Sequence, residues 1–176
     1  MVVKMMFYRK VVIAVTIGMV ILTSCTISYK FNGASIDYTK TKTITISNFP
    51  NNAQTVYPPL EQDFNNALKD IFTKRTRLSP VSRNGDLQLE GEITDYNITS
   101  LGARADGLAP QTQLTMTVKV RFTNTKNEKE SFESSFSSPQ TFDSSQMLTD
   151  ALKDALDTEM IKDITEQIYN QCVAKW

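Results

Sequence analysis

Leu114-Thr115-Met116-Thr117-Val118-Lys119-Val120-Arg121-Phe122-Thr123 is the stretch that decides the fold. Every even position is apolar and every odd position is Thr, Lys or Arg. Side chains on a strand alternate between faces, so this segment predicts a β-strand with one greasy and one hydrogen-bonding side. A polar turn at Thr125 to Lys129 follows, and then Phe132 and Phe136 alternate with Glu133 and Ser135. That pattern predicts an antiparallel hairpin with one face in a core.

Upstream, Leu87, Leu89, Gly91 and Ile93 share one face against Gln88, Glu90, Glu92 and Thr94. Tyr96 and Ile98 are out of phase with that set by one residue, which predicts a bulge near Asp95 or the end of the strand. Residues 100–112, with Gly102, Gly107 and Pro110, read as a long loop. Thr43-Ile44-Thr45-Ile46-Ser47 is a β-branched alternating run stopped by Asn48-Phe49-Pro50-Asn51-Asn52, and Leu78 to Ser82 reads as a further short strand.

Two stretches change period. After Pro58-Pro59, residues Leu60, Phe64, Ala67, Leu68, Ile71 and Phe72 recur at three and four, predicting a helix with proline in its first turn. Asp143-Ser144-Ser145-Gln146 has the form of a helix cap. Leu148, Leu152, Leu156, Met160, Ile164, Ile168 and Cys172 then recur at steps of four, widened by Ala155, Ile161 and Val173, toward Trp176. Two helices on one face of a mostly antiparallel sheet, an α+β two-layer sandwich, would bury all these stripes. Cys172 is expected inside that core.

The 176 residues suit one domain plus a targeting segment. Lys4, Arg9 and Lys10 precede an apolar run, Val11 to Leu22, that ends in Leu22-Thr23-Ser24-Cys25. A bilayer-spanning helix needs roughly 20 apolar residues, so the run is the length of an export signal rather than of a membrane span. Leu22 to Cys25 resembles the bacterial lipobox, in which cleavage falls between residues placed like Ser24 and Cys25 and the cysteine thiol is acylated. The expected organisation is a lipoprotein signal peptide at 1–24, a lipid-anchored tether at 25–42 and a single domain at 43–176. Thr26, rather than Asp, follows the cysteine, which by the same resemblance points to an outer-membrane, periplasm-facing protein carrying fatty acid such as palmitate.

The whole chain has 19 basic and 19 acidic side chains. Removing residues 1–24 takes three basic ones and leaves 16 against 19, a net charge of −3. That balance is a poor match to the basic surface that nucleic-acid binding requires.

The chain has no histidine, the commonest general base and zinc ligand. Neither a nucleophile elbow nor a phosphate-binding loop is present. Glu90, Glu92 and Glu133 fall on one polar sheet face and are the only carboxylate set to weigh for glycoside hydrolysis. An open face offers no pocket to separate their pKa values. Neither an enzyme, a metal site nor a cofactor is expected.

Laid out in order, Phe31-Asn32-Gly33-Ala34-Ser35-Ile36, Asn48-Phe49-Pro50-Asn51-Asn52, the helix from Leu60 to Lys74, and Thr76-Arg77-Leu78 carry a resemblance. It continues through Gly85-Asp86-Leu87-Gln88-Leu89-Glu90-Gly91-Glu92-Ile93, Thr117-Val118-Lys119-Val120-Arg121-Phe122 and Phe142-Asp143-Ser144-Ser145. The chain resembles the LptE family of lipopolysaccharide-assembly lipoproteins, in its Bacteroidota branch. The resemblance implies a plug and assembly partner inside the LptD β-barrel, helping lipopolysaccharide reach the cell surface. It also implies contact with lipopolysaccharide through basic residues. No family position carries over, and the candidates in this chain are Arg104 in the loop and Lys126 and Lys129 in the hairpin turn. The alternative is a periplasm-facing lipoprotein that binds a soluble ligand or glycan without a barrel partner.

Overall fold

A computed structural model describes residues 36–54, 57–102 and 110–173. These belong to one compact unit, Gly33–Trp176. Ser24, Cys25, Arg104 and Trp176 lie outside the described residues.

The elements run β1 (Thr43–Ile46), α1 (Pro58–Arg75), β2 (Ser79–Pro80), β3 (Leu87–Leu101), β4 (Gln111–Asn124), a 3-10 turn (Glu128–Glu130), β5 (Phe132–Asp143) and α2 (Asp150–Val173). The sheet order is β2-β1-β3-β4-β5. β1 is parallel to both neighbours, while β3, β4 and β5 form an antiparallel meander. Both helices cover one face, so the fold is the expected α+β two-layer sandwich.

The core joins Leu60, Phe64, Leu68 and Phe72 of α1 with Met160, Ile164 and Ile168 of α2 over the alternating apolar set of β3 and β4. Leu114, Met116, Val118 and Val120 are fully buried, as their phase predicts. At about 25 cal/mol per Å2 of apolar surface, this one-sided burial is the main force holding helices to sheet. The helices run parallel: the Tyr57 hydroxyl donates to Asp154 at one end (2.8 Å), and Arg75 pairs with Glu166 at the other (3.0 Å).

The phase change in β3 is a bulge. Ile93 stands opposite Val118 and Asp95 opposite Thr117, so Thr94 is the extra residue. The bulge returns Tyr96 to the core side, where it is buried. It lets β3 continue to Leu101, so the loop expected at 100–112 is shorter at both ends.

β5 runs beyond the Phe132 and Phe136 alternation to Asp143, through Pro139. Proline is tolerated there because β5 is an edge strand. The Ser137 carbonyl accepts from the Gln167 amide (3.4 Å), so odd-numbered β5 residues aim their backbone outward, away from β4.

Two expectations about the second helix are corrected. It begins at Asp150, not near Asp143. The Asp143 carboxylate instead accepts from the Ser145 amide (2.8 Å) and hydroxyl (2.6 Å), closing a turn that ends β5. At the true start the Leu152 amide donates to Thr149 Oγ1 (3.3 Å).

The buried stripe of α2 also differs. Steps of four overshoot a 3.6-residue turn, so a stripe drawn that way walks round the helix. Leu152 and Leu156 are half-buried and Ala155 is exposed, while Asp157 and Thr165 turn inward beside Ile161, which is buried as expected. Cys172 is half-buried, packed at the edge of the core rather than inside it.

The crossing from β1 to α1 sets the sheet–helix spacing. Phe49, fully buried, lies against Phe64 (ring centroids 5.6 Å) and directly over Gly91. The Phe49 amide donates to Asn65 Oδ1 (2.9 Å), and Asn65 Nδ2 donates back to the Phe49 carbonyl (3.0 Å). A Cβ at position 91 would collide with the Phe49 ring and the Lys119 carbonyl. Gly91→Ala should therefore lower the urea midpoint by the equivalent of about 2–3 kcal/mol. An unchanged midpoint would show that the notch can yield.

Candidate functional site

The face of the sheet away from the helices carries the accessible chemistry. Two rows of charge cross it, one where Glu90 stands opposite Arg121 and Arg121 opposite Glu133, the other where Glu92 stands opposite Lys119. Glu133 pairs with Lys119 (2.7 Å) and Arg121 (3.1 Å). Hydrogen bonds from Lys119 first, then from Arg121, hold its carboxyl below the usual range. Glu92 accepts from Asn52 Nδ2 (2.5 Å). A shallow cavity of about 230 Å3 lies among Glu90, Glu92, Lys119, Arg121 and Glu133. Glu133 is thus the centre of an ion-pair network with Lys119 and Arg121, the reverse of what a general acid needs.

Beyond that network the same face is almost uncharged. Thr99, Gln113, Thr115, Thr117, Ser137 and Thr141 line it, with Thr117 and Ser137 hydroxyls 3.1 Å apart. Hydroxyls and amides in rows can exchange water for another polar surface at small cost, unlike bare charges.

Of the basic residues singled out from sequence, Lys126 and Lys129 fall within the described residues and Arg104 does not. Lys126 and Lys129 sit at the end of the sheet where β3 begins and β4 stops. The strands that flank residues 103–109 end at Leu101 and Gln111, at the opposite end of the 15-residue β3. Lys126 is engaged by Asp86 Oδ1 (3.0 Å), and Lys129 is exposed.

Asp86 ties that end together. Its Oδ2 accepts from the Lys42 and Thr43 amides (2.9 and 3.1 Å), and its own amide donates to Thr43 Oγ1 (2.9 Å). The Lys42 amide, followed by the Lys126 ammonium, holds the Asp86 carboxyl far below the usual range.

At the other end the structure assembles a cluster that sequence reading missed. Asp157 is 5% exposed and its Oδ1 accepts from the Tyr96 hydroxyl (2.8 Å), while Oδ2 has no partner among the described residues. Lys153 lies over the Tyr57 ring (3.3 Å from the centroid) and 5.3 Å from that of Tyr96. The hydrogen bond to Asp154, then burial, pushes the Tyr57 hydroxyl up to about 12. Burial raises Asp157, with the Tyr96 bond and Lys153 pulling part of the way back. The signal was present: Asp157 is three and four residues before Met160 and Ile161, in phase with the buried stripe.

Among the described residues no group of three or more Cys, Asp or Glu side chains is arranged to hold a metal ion, and no helix is long and apolar enough to cross a membrane. The fold and its surfaces thus define a two-layer α+β module that presents a flat hydrogen-bonding sheet face. The family model for lipopolysaccharide-assembly proteins, LptE, matches residues 41–172. The chain belongs to the LptE family, a family of non-enzymatic assembly lipoproteins of the cell envelope.

Solved structures similar to the chain include a hypothetical protein of Chlamydia trachomatis, 7% identical with a TM-score of 0.54, covering 75% of this chain and 98% of that one. A minor lipoprotein of Acinetobacter baumannii is 17% identical with a TM-score of 0.49, covering 74% and 91%. No curated protein matches the chain.

The Asp157 cluster has a pH signature. A folded-state pKa raised above the unfolded value of 3.8 means the folded protein holds this proton more tightly. Its contribution to stability is full below that value and is lost as pH rises through the raised one. The thermal midpoint of Asp157→Asn should therefore gain on wild type as pH rises above about 4. Parallel profiles for the two proteins would mean that Asp157 titrates normally.

Proposed function

We propose that this chain is an outer-membrane lipoprotein, cut between Ser24 and Cys25 and acylated on Cys25. In this reading it acts as the plug and assembly partner of an LptD β-barrel that passes lipopolysaccharide to the cell surface. The observation that carries the reading is the open sheet face. β3, β4 and β5 present Thr, Ser and Gln on a surface that no helix or strand of the described residues covers. The lumen of a large barrel is polar, so a plug must offer hydrogen bonds rather than a greasy face. The family supports the same role, and the sequence at Leu22 to Cys25 supports the anchor.

Arg104, and separately Lys126 and Lys129, are proposed contacts for lipopolysaccharide phosphates. Lys126 and Lys129 share the turn between β4 and β5, and Arg104 is proposed separately from them.

Gentle detergent extraction followed by affinity capture should recover a large heat-modifiable barrel with the wild-type chain. Recovery of a lone monomer would refute the plug. Labelled fatty acid should enter the wild type and not Cys25→Ser, and equal labelling of the two removes the anchor. Arg104→Ala should weaken binding to lipid A phosphates about tenfold, the worth of one charge-assisted hydrogen bond. Unchanged binding eliminates that contact.

A further inference from the structure

The charges of the described chain are sorted along its length. At the end where both helices start, Asp150, Asp154 and Asp157 lie close enough to act on Tyr57, and Asp63 and Asp154 close enough to act on Asp157. Lys153 is the cation among them. At the end where β1 and β3 begin, the loops carry Lys40, Lys42, Arg77, Arg83, Lys126 and Lys129.

These loops are one surface. The Lys42 carbonyl accepts from the Ser79 amide (2.8 Å), two residues beyond Arg77. Asp86 joins Lys42 to Lys126, and the Thr125 amide donates to the Asp86 carbonyl (2.9 Å). Gly85, beside Arg83, donates to Thr45 Oγ1 (2.9 Å), with Asn84 at φ 54° turning the chain.

Most acidic groups at this end are already engaged. Asp37 is taken by Thr39 and Lys40, Asp86 by two amides and Lys126, and Glu130 by Asn124 and Asn127. Lys42, Arg77, Arg83 and Lys129 are exposed and have no ion-pair partner among the described residues. Helix-dipole compensation accounts for Lys74 and Arg75, which sit in the last turn of α1 and pair with Asp70 and Glu166. It does not account for four unpaired cations on loops beyond the helix.

The described chain also begins here. Ile36, the first described residue, and Tyr38 pack against the core, and the Lys42 amide is bound by Asp86. Eleven residues, 25–35, separate Cys25 from Ile36, a reach of at most about 40 Å.

We infer that the loop end bearing Lys42, Arg77, Arg83 and Lys129 docks on the anionic glycerophospholipid headgroups of the leaflet that holds the anchor. The inference rests on the proposed anchor at Cys25 for which membrane is near. Phosphates at that surface meet the unpaired cations, while the acidic end is repelled, so the module stands upright with its sheet face clear of lipid. Such attraction reaches about one Debye length and weakens with salt.

The test uses the chain from residue 25 onward with Cys25→Ser, so that no acyl chain contributes. It should sediment with phosphatidylcholine vesicles containing phosphatidylglycerol, release in high salt, and ignore vesicles of phosphatidylcholine alone. Combined Arg77→Ser, Arg83→Ser and Lys129→Ser should reduce partitioning by about fivefold per cation removed. Lys129→Glu alone, in an exposed turn, should lower it at least as much as one removal, and Lys119→Ser on the sheet face should leave it unchanged. Equal binding to neutral vesicles, full binding by the triple variant, or binding to lipopolysaccharide alone overturns the inference. Fatty-acid labelling of Cys25 tests the anchor separately, so either can fail without the other.

Discussion

Phe49 seated over Gly91, with its backbone clamped by Asn65, is the contact on which the rest of the architecture depends. It fixes how close α1 can approach β3, because a ring fills the space that any side chain at position 91 would need. Burying the phenyl group contributes about 1.5–3 kcal/mol, and the two amide hydrogen bonds to Asn65 add roughly 1 kcal/mol each. Glu61 extends the clamp by accepting from Asn48 Nδ2 (2.9 Å) and the Asn51 amide (3.1 Å). The turn after β1 is thus held by one helix face, and α2 packs into the space left beside α1.

With the helices committed to one side, the other side of the sheet is left to water or to a partner. That asymmetry explains why the chain keeps its charged residues in paired rows near Glu133 and its uncharged hydroxyls toward the far end of the β3–β4 hairpin. The edge is defended as well. β2 is two residues long and includes Pro80, and β5 carries Pro139 with Gln167 reaching to its outer carbonyl. Short strands and proline at edges discourage unwanted strand pairing. The surface left available for recognition is consequently the open face and the two charged ends.

Much of this was legible in the residues. The alternation of Leu114 to Thr123 and the repeats from Leu60 to Phe72 gave strand, helix and core side, because period two and period 3.6 leave different marks. Even the bulge showed, since Tyr96 is one residue out of phase with Ile93. Asp143-Ser144-Ser145-Gln146 misled because a carboxylate followed by serine closes a strand-ending turn as readily as it caps a helix. The steps of four from Leu148 to Cys172 misled because a constant spacing of four drifts off a true helical face. That drift hid Asp157, the most unusual group in the fold.

By itself the sequence determined which side chains must leave water, and so the layered α+β class, the polar sheet face and the family. Periodicity and composition are local properties, and burial of apolar stripes follows from them directly. Tertiary structure alone decided that Lys126 is held by Asp86 at the end of the sheet where β3 begins. It also decided that Asp157 is enclosed beside Tyr96, and that Asp86 gathers loops 40 residues apart. Those outcomes depend on strand order, register and the parallel insertion of β1, which are set by how distant segments fit together and leave no periodic trace in the chain.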